Sequence, residues 1–144
     1  MVSAGQHAGL HRASCHCGGV QFTVNLPENP FARRCNCSIC AMKGVVMIDV
    51  PLTDLTVTEG EELLTLYTFN TGEAKHRFCS RCGIHCFHQT RSEPDKFGIN
   101  VACIGGMSPY DWPKVPVFDG QNHPNDSGGT GRYAGVMRFE AGED

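Results

Sequence analysis

The sequence predicts a mainly β protein whose antiparallel strands are joined by short turns. Glycine (17) and proline (8) account for 25 of the 144 residues, and several short segments alternate apolar with polar residues, as half-buried strands do. The only stretch with a helical pattern is the short segment 38–43. We therefore expect packed sheets with little helix.

The predicted strands follow one another from residue 20 onward. Residues 20–26 alternate Val, Phe, Val and Leu with polar residues, which indicates one buried and one exposed face. Residues 45–48 are continuously apolar and predict a fully buried strand, which Pro51 ends. Further strands are predicted at 55–58, 63–69, 75–78, 84–89, 97–103 and 136–140.

The segment 104–135 is predicted to be a long irregular loop, because 11 of its 32 residues are glycine or proline. It also contains several ring-bearing residues: Tyr110, Trp112, Phe118, His123 and Tyr133. Two interpretations stay open, an ordered wall beside a functional site and a surface meander. With no second domain indicated, we expect residues 8–140 to form one domain.

Charge and hydropathy exclude several classes of partner. The net charge is −3 and the isoelectric point about 6.1, which gives no electrostatic case for binding nucleic acid or an anionic membrane. The apolar runs are too short to span a bilayer. Residues 1–14 lack the apolar core of a secretory signal, so we expect a cytoplasmic protein whose nine cysteines stay reduced. The oligomeric state is not indicated.

Two of the three cysteine clusters end in glycine, as zinc knuckles do. They are Cys15-His-Cys17-Gly and Cys79-Ser-Arg-Cys82-Gly. The tight turn needs a residue without Cβ, so that backbone N–H groups can point at the sulfurs. Together the two knuckles offer the four thiolates that structural zinc requires.

The third cluster contributes three thiols within six residues, Cys35, Cys37 and Cys40. Three protein ligands with an open fourth position are typical of a reactive zinc. A fourth protein ligand is the alternative, and the candidates are Cys86, Cys103, His76, His85 and His88. The two cysteines share strand faces with apolar residues and are interpreted as core thiols. His85 and His88 are interpreted as structural or solvated. An exchange of ligands between the clusters also stays open.

An open three-thiolate zinc favours capture of a thiol over activation of water. The thiolates reduce the Lewis acidity of the ion, whereas a coordinated thiol is held deprotonated. Attack of that sulfur on an aldehyde would give an S-hydroxyalkyl product. An anionic thiol would also need cationic anchors, for which Arg34 and Lys43 beside the cluster are the candidates.

Four motifs together resemble the glutathione-dependent formaldehyde-activating enzyme family, which includes centromere protein V. They are CHCGG at 15–19, CNCSIC at 35–40, HRFCSRCGIH at 76–85 and INVAC at 99–103. The resemblance implies a β-tent of packed antiparallel sheets pinned by zinc. It implies a structural zinc on the two knuckles, a catalytic zinc on the third cluster, and a carbon–sulfur lyase reaction that joins glutathione and formaldehyde when reversed.

Two other functions compete with this enzyme hypothesis. One is a non-catalytic zinc module that binds another protein. The other is an enzyme similar to methionine sulfoxide reductases, which would need a redox-active cysteine. Cys103 is the candidate for that role, although its apolar strand face favours burial.

Overall fold

The protein is described by a computed structural model that covers residues 8–123 and 131–143. Within those residues the chain forms eleven strands and one α-helix. The strands are β1 Gly9–Ser14, β2 Gln21–Leu26, β3 Ala32–Cys35, β4 Met47–Pro51, β5 Leu55–Glu59, β6 Leu64–Tyr67, β7 Lys75–Cys79, β8 His85–Gln89, β9 Lys96–Asn100, β10 Lys114–Phe118 and β11 Tyr133–Arg138. The helix α1 is Ser38–Lys43, as the sequence predicts.

The strands form two packed sheets, which confirms the predicted mainly β class. A three-stranded antiparallel sheet has the order β1-β2-β5, and the eight remaining strands have the order β11-β10-β3-β4-β9-β8-β7-β6. The expectation of antiparallel pairing is wrong at one place, since β10 runs parallel to β3 and pairs Phe118 with Cys35. A parallel pair needs a long crossover, and the chain between these two strands supplies it.

The predicted strands at 20–26, 45–48, 55–58, 63–69, 75–78 and 84–89 are confirmed as β2 and β4–β8, with ends shifted by at most three residues. The strand predicted at 97–103 ends earlier, at Asn100. The Asn100 side chain accepts a hydrogen bond of 3.1 Å from the backbone N–H of Ala102, which starts a single 3-10 turn, Val101–Cys103. Cys103 is nonetheless buried, as expected.

Three strands were not predicted. β1 and β3 have mixed patterns, with Leu10 73% exposed in the first and two arginines in the second. β10 lies inside the predicted loop 104–135, so that expectation is wrong for residues 114–118. Pro116 counts as evidence against a strand there. Proline is tolerated here because it pairs only with Val136 of β11 and not with β3. Residues 124–130 of that loop, and 1–7 of the N-terminal segment, lie outside the described residues.

The core lies between the two sheets. Phe22 of β2 and Phe87 of β8 meet edge to face with ring centroids 5.3 Å apart, and Val24 and Ile99 are fully buried beside them. Burial of each such side chain contributes about 2–3 kcal/mol, so this contact fixes how the sheets face one another. None of the helices among the described residues has the length and apolar character needed to cross a bilayer.

Candidate metal centres

The two knuckles meet at one point between the sheets. Cys15 and Cys17 lie in the turn between β1 and β2, whereas Cys79 ends β7 and Cys82 follows it. Their four sulfur atoms all lie within 4.8 Å of one another. The Cys15–Cys17 and Cys17–Cys79 sulfur separations are 3.6 and 3.8 Å. The three-stranded sheet is thereby brought against the β7–β8 hairpin.

This four-sulfur set fits zinc. Tetrahedral zinc with Zn–S bonds of about 2.3 Å places its sulfurs about 3.8 Å apart, which matches the observed separations. Backbone N–H groups of Gly19, Val20 and Arg81 point at three of the sulfurs, at 3.3–3.4 Å. Gly18 and Gly83 follow the knuckles with φ of 79° and 78°, the left-handed turn that the sequence predicts there.

The third cluster, here called the tripod, is built by a strand end and the helix that follows it. Cys35 is the last residue of β3, Cys37 precedes α1, and Cys40 is buried in the helix. Their sulfurs lie within 4.8 Å of one another. Gly44 ends the helix in a left-handed conformation, with φ of 64° and its N–H bonded to the carbonyl of Cys40.

Hydrogen bonding within the tripod favours a thiolate at Cys37. The thiols of Cys35 and Cys40 lower the pKa of Cys37 far below its ordinary value, and the backbone N–H groups of Cys40 and Ile39 act in the same direction. The same coupling raises the pKa of Cys40, because its thiol donates to the other sulfurs. A sulfur set that already stabilises negative charge is a suitable ligand set for a borderline-soft cation such as zinc.

The tripod faces a cavity of about 360 Å³, enough for a small molecule. The cavity is also lined by Phe69, Phe118, His76 and His88. Phe118 and His123 line it, which confirms the interpretation of segment 104–135 as a wall for those two residues. Tyr110, Trp112 and Tyr133 lie elsewhere.

Among the described residues, none of the candidate fourth ligands groups with the tripod. The thiols of Cys86 and Cys103 are buried and donate to the carbonyls of Ile84 and His85, each at 3.6 Å. Cys86 is thus a core thiol, as predicted, although Ile84 is itself exposed. The three histidines form a separate group, with ring nitrogens within 4.8 Å of one another.

A short loop after β10 closes over the tripod. Gly120 lies so close that a Cβ there would be 2.5 Å from the sulfur of Cys35. Buried Asp119 holds this loop by accepting hydrogen bonds from Asn36 at 3.2 Å and from Arg132 at 3.0 Å. The sequence does not predict this loop, because a glycine after an acidic residue is a common pattern.

The cations near the tripod have different partners. Arg33 lines the cavity and forms a paired ionic contact with Asp49 at 2.7 and 2.9 Å. Arg34 donates to the carbonyl of Gly44 at 3.1 Å. Lys43 points at the histidine group, with its ammonium 2.7 Å from Nδ1 of His76. A further cation, Arg91, also lines the cavity.

The histidine group, which we call the imidazole cluster, consists of His76, His85 and His88. His76 and His88 are 3% and 5% exposed, so of the two alternatives predicted for His88, structural and solvated, the solvated one is excluded. Burial lowers the pKa of His76 to about 4 and of His85 to about 3, and the charge of Lys43 acts in the same direction. Burial likewise lowers the pKa of Lys43, to about 8. At neutral pH the three imidazoles are therefore neutral beside one ammonium.

Comparison with known proteins identifies the family. The family profile described as glutathione-dependent formaldehyde-activating enzyme matches residues 10–118, a span that contains both cysteine sets and the imidazole cluster. The chain belongs to this family. The resemblance carried by the four sequence motifs is thereby confirmed.

Two relatives illustrate the extent of the similarity. A Halomonas elongata protein, whose name assigns it provisionally to the same enzymes, is 37% identical over 81 residues. That alignment covers 51% of this chain and 52% of the relative, so the chain matches about half the length of this curated protein. A crystal structure of a Rhodobacter sphaeroides protein is 46% identical with a TM-score of 0.71, and the match covers 74% of this chain and 98% of that one.

Proposed function

We propose that this member of the formaldehyde-activating family captures a small thiol at the tripod and makes or breaks a carbon–sulfur bond. The reaction we favour joins glutathione to formaldehyde and runs in reverse as a lyase reaction. One observation supports it above the others. Three sulfurs within 4.8 Å of one another line a cavity, with the pKa of Cys37 lowered by the other two thiols, and no fourth metal-binding side chain among the described residues joins them.

The proposal uses two zinc ions in one domain, residues 8–140. Cys15, Cys17, Cys79 and Cys82 would hold a structural ion, because four sulfurs at tetrahedral spacing leave no ligand position open. Cys35, Cys37 and Cys40 would hold the second ion with one position open to the cavity. Both the thiolates and glutathione require the reducing cytoplasm, where we propose the reaction runs.

Zinc held by three thiolates supplies deprotonation of an incoming thiol, whose free pKa is about 8.5. The residues around it do the rest. Arg33 and Arg91 line the cavity, where they are ion-paired with Asp49 and Glu73. A guanidinium has five N–H donors, so each can also bind a carboxylate of glutathione, and Arg34 and Lys43 remain candidates for the same role. Gly120 lets the loop after β10 pack closely against Cys35 at the cavity wall, and proximity of thiol and aldehyde lowers the barrier.

The test measures turnover against the spontaneous reaction of thiol and aldehyde. We expect purified protein to contain two zinc ions and to accelerate exchange between formaldehyde and its glutathione adduct, observed as magnetisation transfer in NMR spectra. The acceleration should saturate with glutathione. Replacing the second zinc with cobalt should give a thiolate-to-metal absorption that changes when glutathione is added.

The competing function, a non-catalytic zinc module, predicts a different set of results. The exchange rate would equal the spontaneous rate, and the cobalt spectrum would not respond to glutathione. Both ions would then resist displacement equally. That combination would rule out thiol capture at the tripod and leave the metal sites standing.

A further inference from the structure

A second constellation on the cavity wall has no part in thiol capture. The imidazole cluster places the rings of His76, His85 and His88 with centroids 4.9, 5.7 and 6.0 Å apart. An ion bound by three imidazoles at about 2.0–2.1 Å from each nitrogen spaces the rings about 5 Å apart. The three rings thus already lie at nearly the separation that one shared ion requires.

Two of these rings carry nitrogen atoms without a partner. Nε2 of His76 and Nδ1 of His88 are buried and make no hydrogen bond within the described part of the chain. A buried polar atom without a hydrogen bond costs free energy unless a water molecule or an ion interacts with it. Both rings are more than nine-tenths buried, so bulk water does not reach these two atoms. A metal ion would take one lone pair from each ring. It would satisfy Nδ1 of His88, whereas His76 would bind through Nδ1, the nitrogen that faces Lys43, and keep its proton on Nε2.

The cluster already attracts a cation. Nζ of Lys43 lies 2.7 Å from Nδ1 of His76 and 3.1 Å from Nδ1 of His85. An ammonium has hydrogens to donate and no lone pair, so both ring nitrogens present their lone pairs toward the position that it occupies. The Lys43 side chain has four flexible methylene groups, so its ammonium can move away when a metal ion binds the imidazoles.

We propose that His76, His85 and His88 form a third metal site, which takes a divalent transition ion such as zinc, cobalt or nickel in competition with the Lys43 ammonium. Neutral imidazoles suit these ions, whereas magnesium and calcium prefer oxygen ligands. This site is separate from the two cysteine sets, because the three groups share no residue.

The site also differs from the tripod in the ligand that it would favour. Three neutral imidazoles leave the ion its full double positive charge, so it prefers an oxygen ligand, whereas the tripod prefers sulfur. His76 and His88 line the same cavity as the tripod. An aldehyde oxygen on one wall and a thiol on the other would suit the proposed reaction. That last assignment rests on the proposed function, whereas the metal site itself does not.

The test titrates cobalt into protein loaded with two equivalents of zinc, which fill both cysteine sets and leave the imidazole cluster empty. We expect a further equivalent to bind with visible d–d absorption and without the near-ultraviolet band of a cobalt–thiolate bond. His88→Ala and His76→Gln should each weaken this binding about 100-fold. Cys37→Ser should keep it, and His11→Gln, which alters a histidine of β1, is the matched control.

Lys43→Met keeps the test decisive even if a histidine variant folds poorly. Removing the competing ammonium should tighten cobalt binding about 10-fold or more. The proposal is overturned if neither the parent protein nor Lys43→Met binds a further equivalent, or if the bound cobalt shows a thiolate band. None of these readouts depends on turnover, so loss of the thiol-capture function would leave the result intact.

Discussion

The four-cysteine set and the tripod use the same ligand, yet they relate to the fold in opposite ways. Cys17 and Cys79 are 62 positions apart and approach from different sheets, whereas Cys35 and Cys40 belong to a strand and the helix directly after it. The first set lies between structural layers, and the second lies beside a cavity. We therefore expect the position of the ligands in the fold, more than their chemical type, to distinguish a stabilising zinc site from a reactive one.

The strongest way to test this contrast is Cys79→Ser. We expect the variant to lose its structural zinc and more than about 5 kcal/mol of unfolding free energy, which is the whole stability of many domains. Circular dichroism and zinc analysis measure both losses. Cys86→Ser is the matched control, because Cys86 is also fully buried but belongs to neither set. Its cost should be about 1–3 kcal/mol.

Similar melting of Cys79→Ser and Cys86→Ser would mean that the knuckles do not hold the sheets together. The structural role of the four-cysteine set would then have to be abandoned. The tripod could still act as proposed.

A smaller effect on stability is expected from Cys37→Ser. The variant should fold, lose one zinc ion and exchange formaldehyde with glutathione at the spontaneous rate. Its unfolding free energy should fall by about 1–2 kcal/mol, since the tripod connects no distant parts of the chain. Metal analysis, thermal melting and NMR exchange give the three values. Cys103→Ser, which changes a buried thiol outside both sets, should retain both zinc ions.

If Cys37→Ser destabilises the protein as much as Cys79→Ser does, the contrast fails. The tripod would then be a second structural site. Its open position would have no functional meaning.

The smallest effect on zinc binding is expected from Gly120→Ala. The added Cβ would lie 2.5 Å from the sulfur of Cys35 and 2.8 Å from Cβ of Cys37, so the loop or the tripod must move. We expect about 10-fold weaker binding of the second zinc and a stability loss of about 1–3 kcal/mol. Competition with a chelator measures the affinity. In Gly135→Ala the new Cβ meets nothing within 4 Å, so this control should keep parent affinity. Equal affinities in the two variants would contradict the close approach.

The sequence was sufficient for features that depend on local spacing. The knuckles and the tripod are recognisable because their ligands lie within two to five positions of one another, and one turn brings them together. The alternating strand β2 follows from a period of two in the same way. The joining of the knuckles needed only the ligand count of zinc.

Features that depend on strand register and pairing could not be predicted from the sequence. The imidazole cluster forms because His76 lies directly opposite His88 in the β7–β8 pair, while a bulge between Arg77 and Phe78 brings His85 to the same group. No residue pattern in this segment predicts the bulge. The approach of Gly120 to Cys35 likewise requires the parallel pairing of β10 with β3, two strands far apart in the chain.

The confinement of the tripod to six consecutive residues has a kinetic consequence. Helix α1 has only six residues, so opening of the stretch 37–44, which contains two of the three tripod cysteines, leaves the strands paired and requires far less free energy than global unfolding. An ion held there would exchange with free zinc at the rate of this local fluctuation. An ion held between the sheets would leave only when they separate. The reactivity of such a protein can follow the supply of zinc in its surroundings while its fold persists through a shortage.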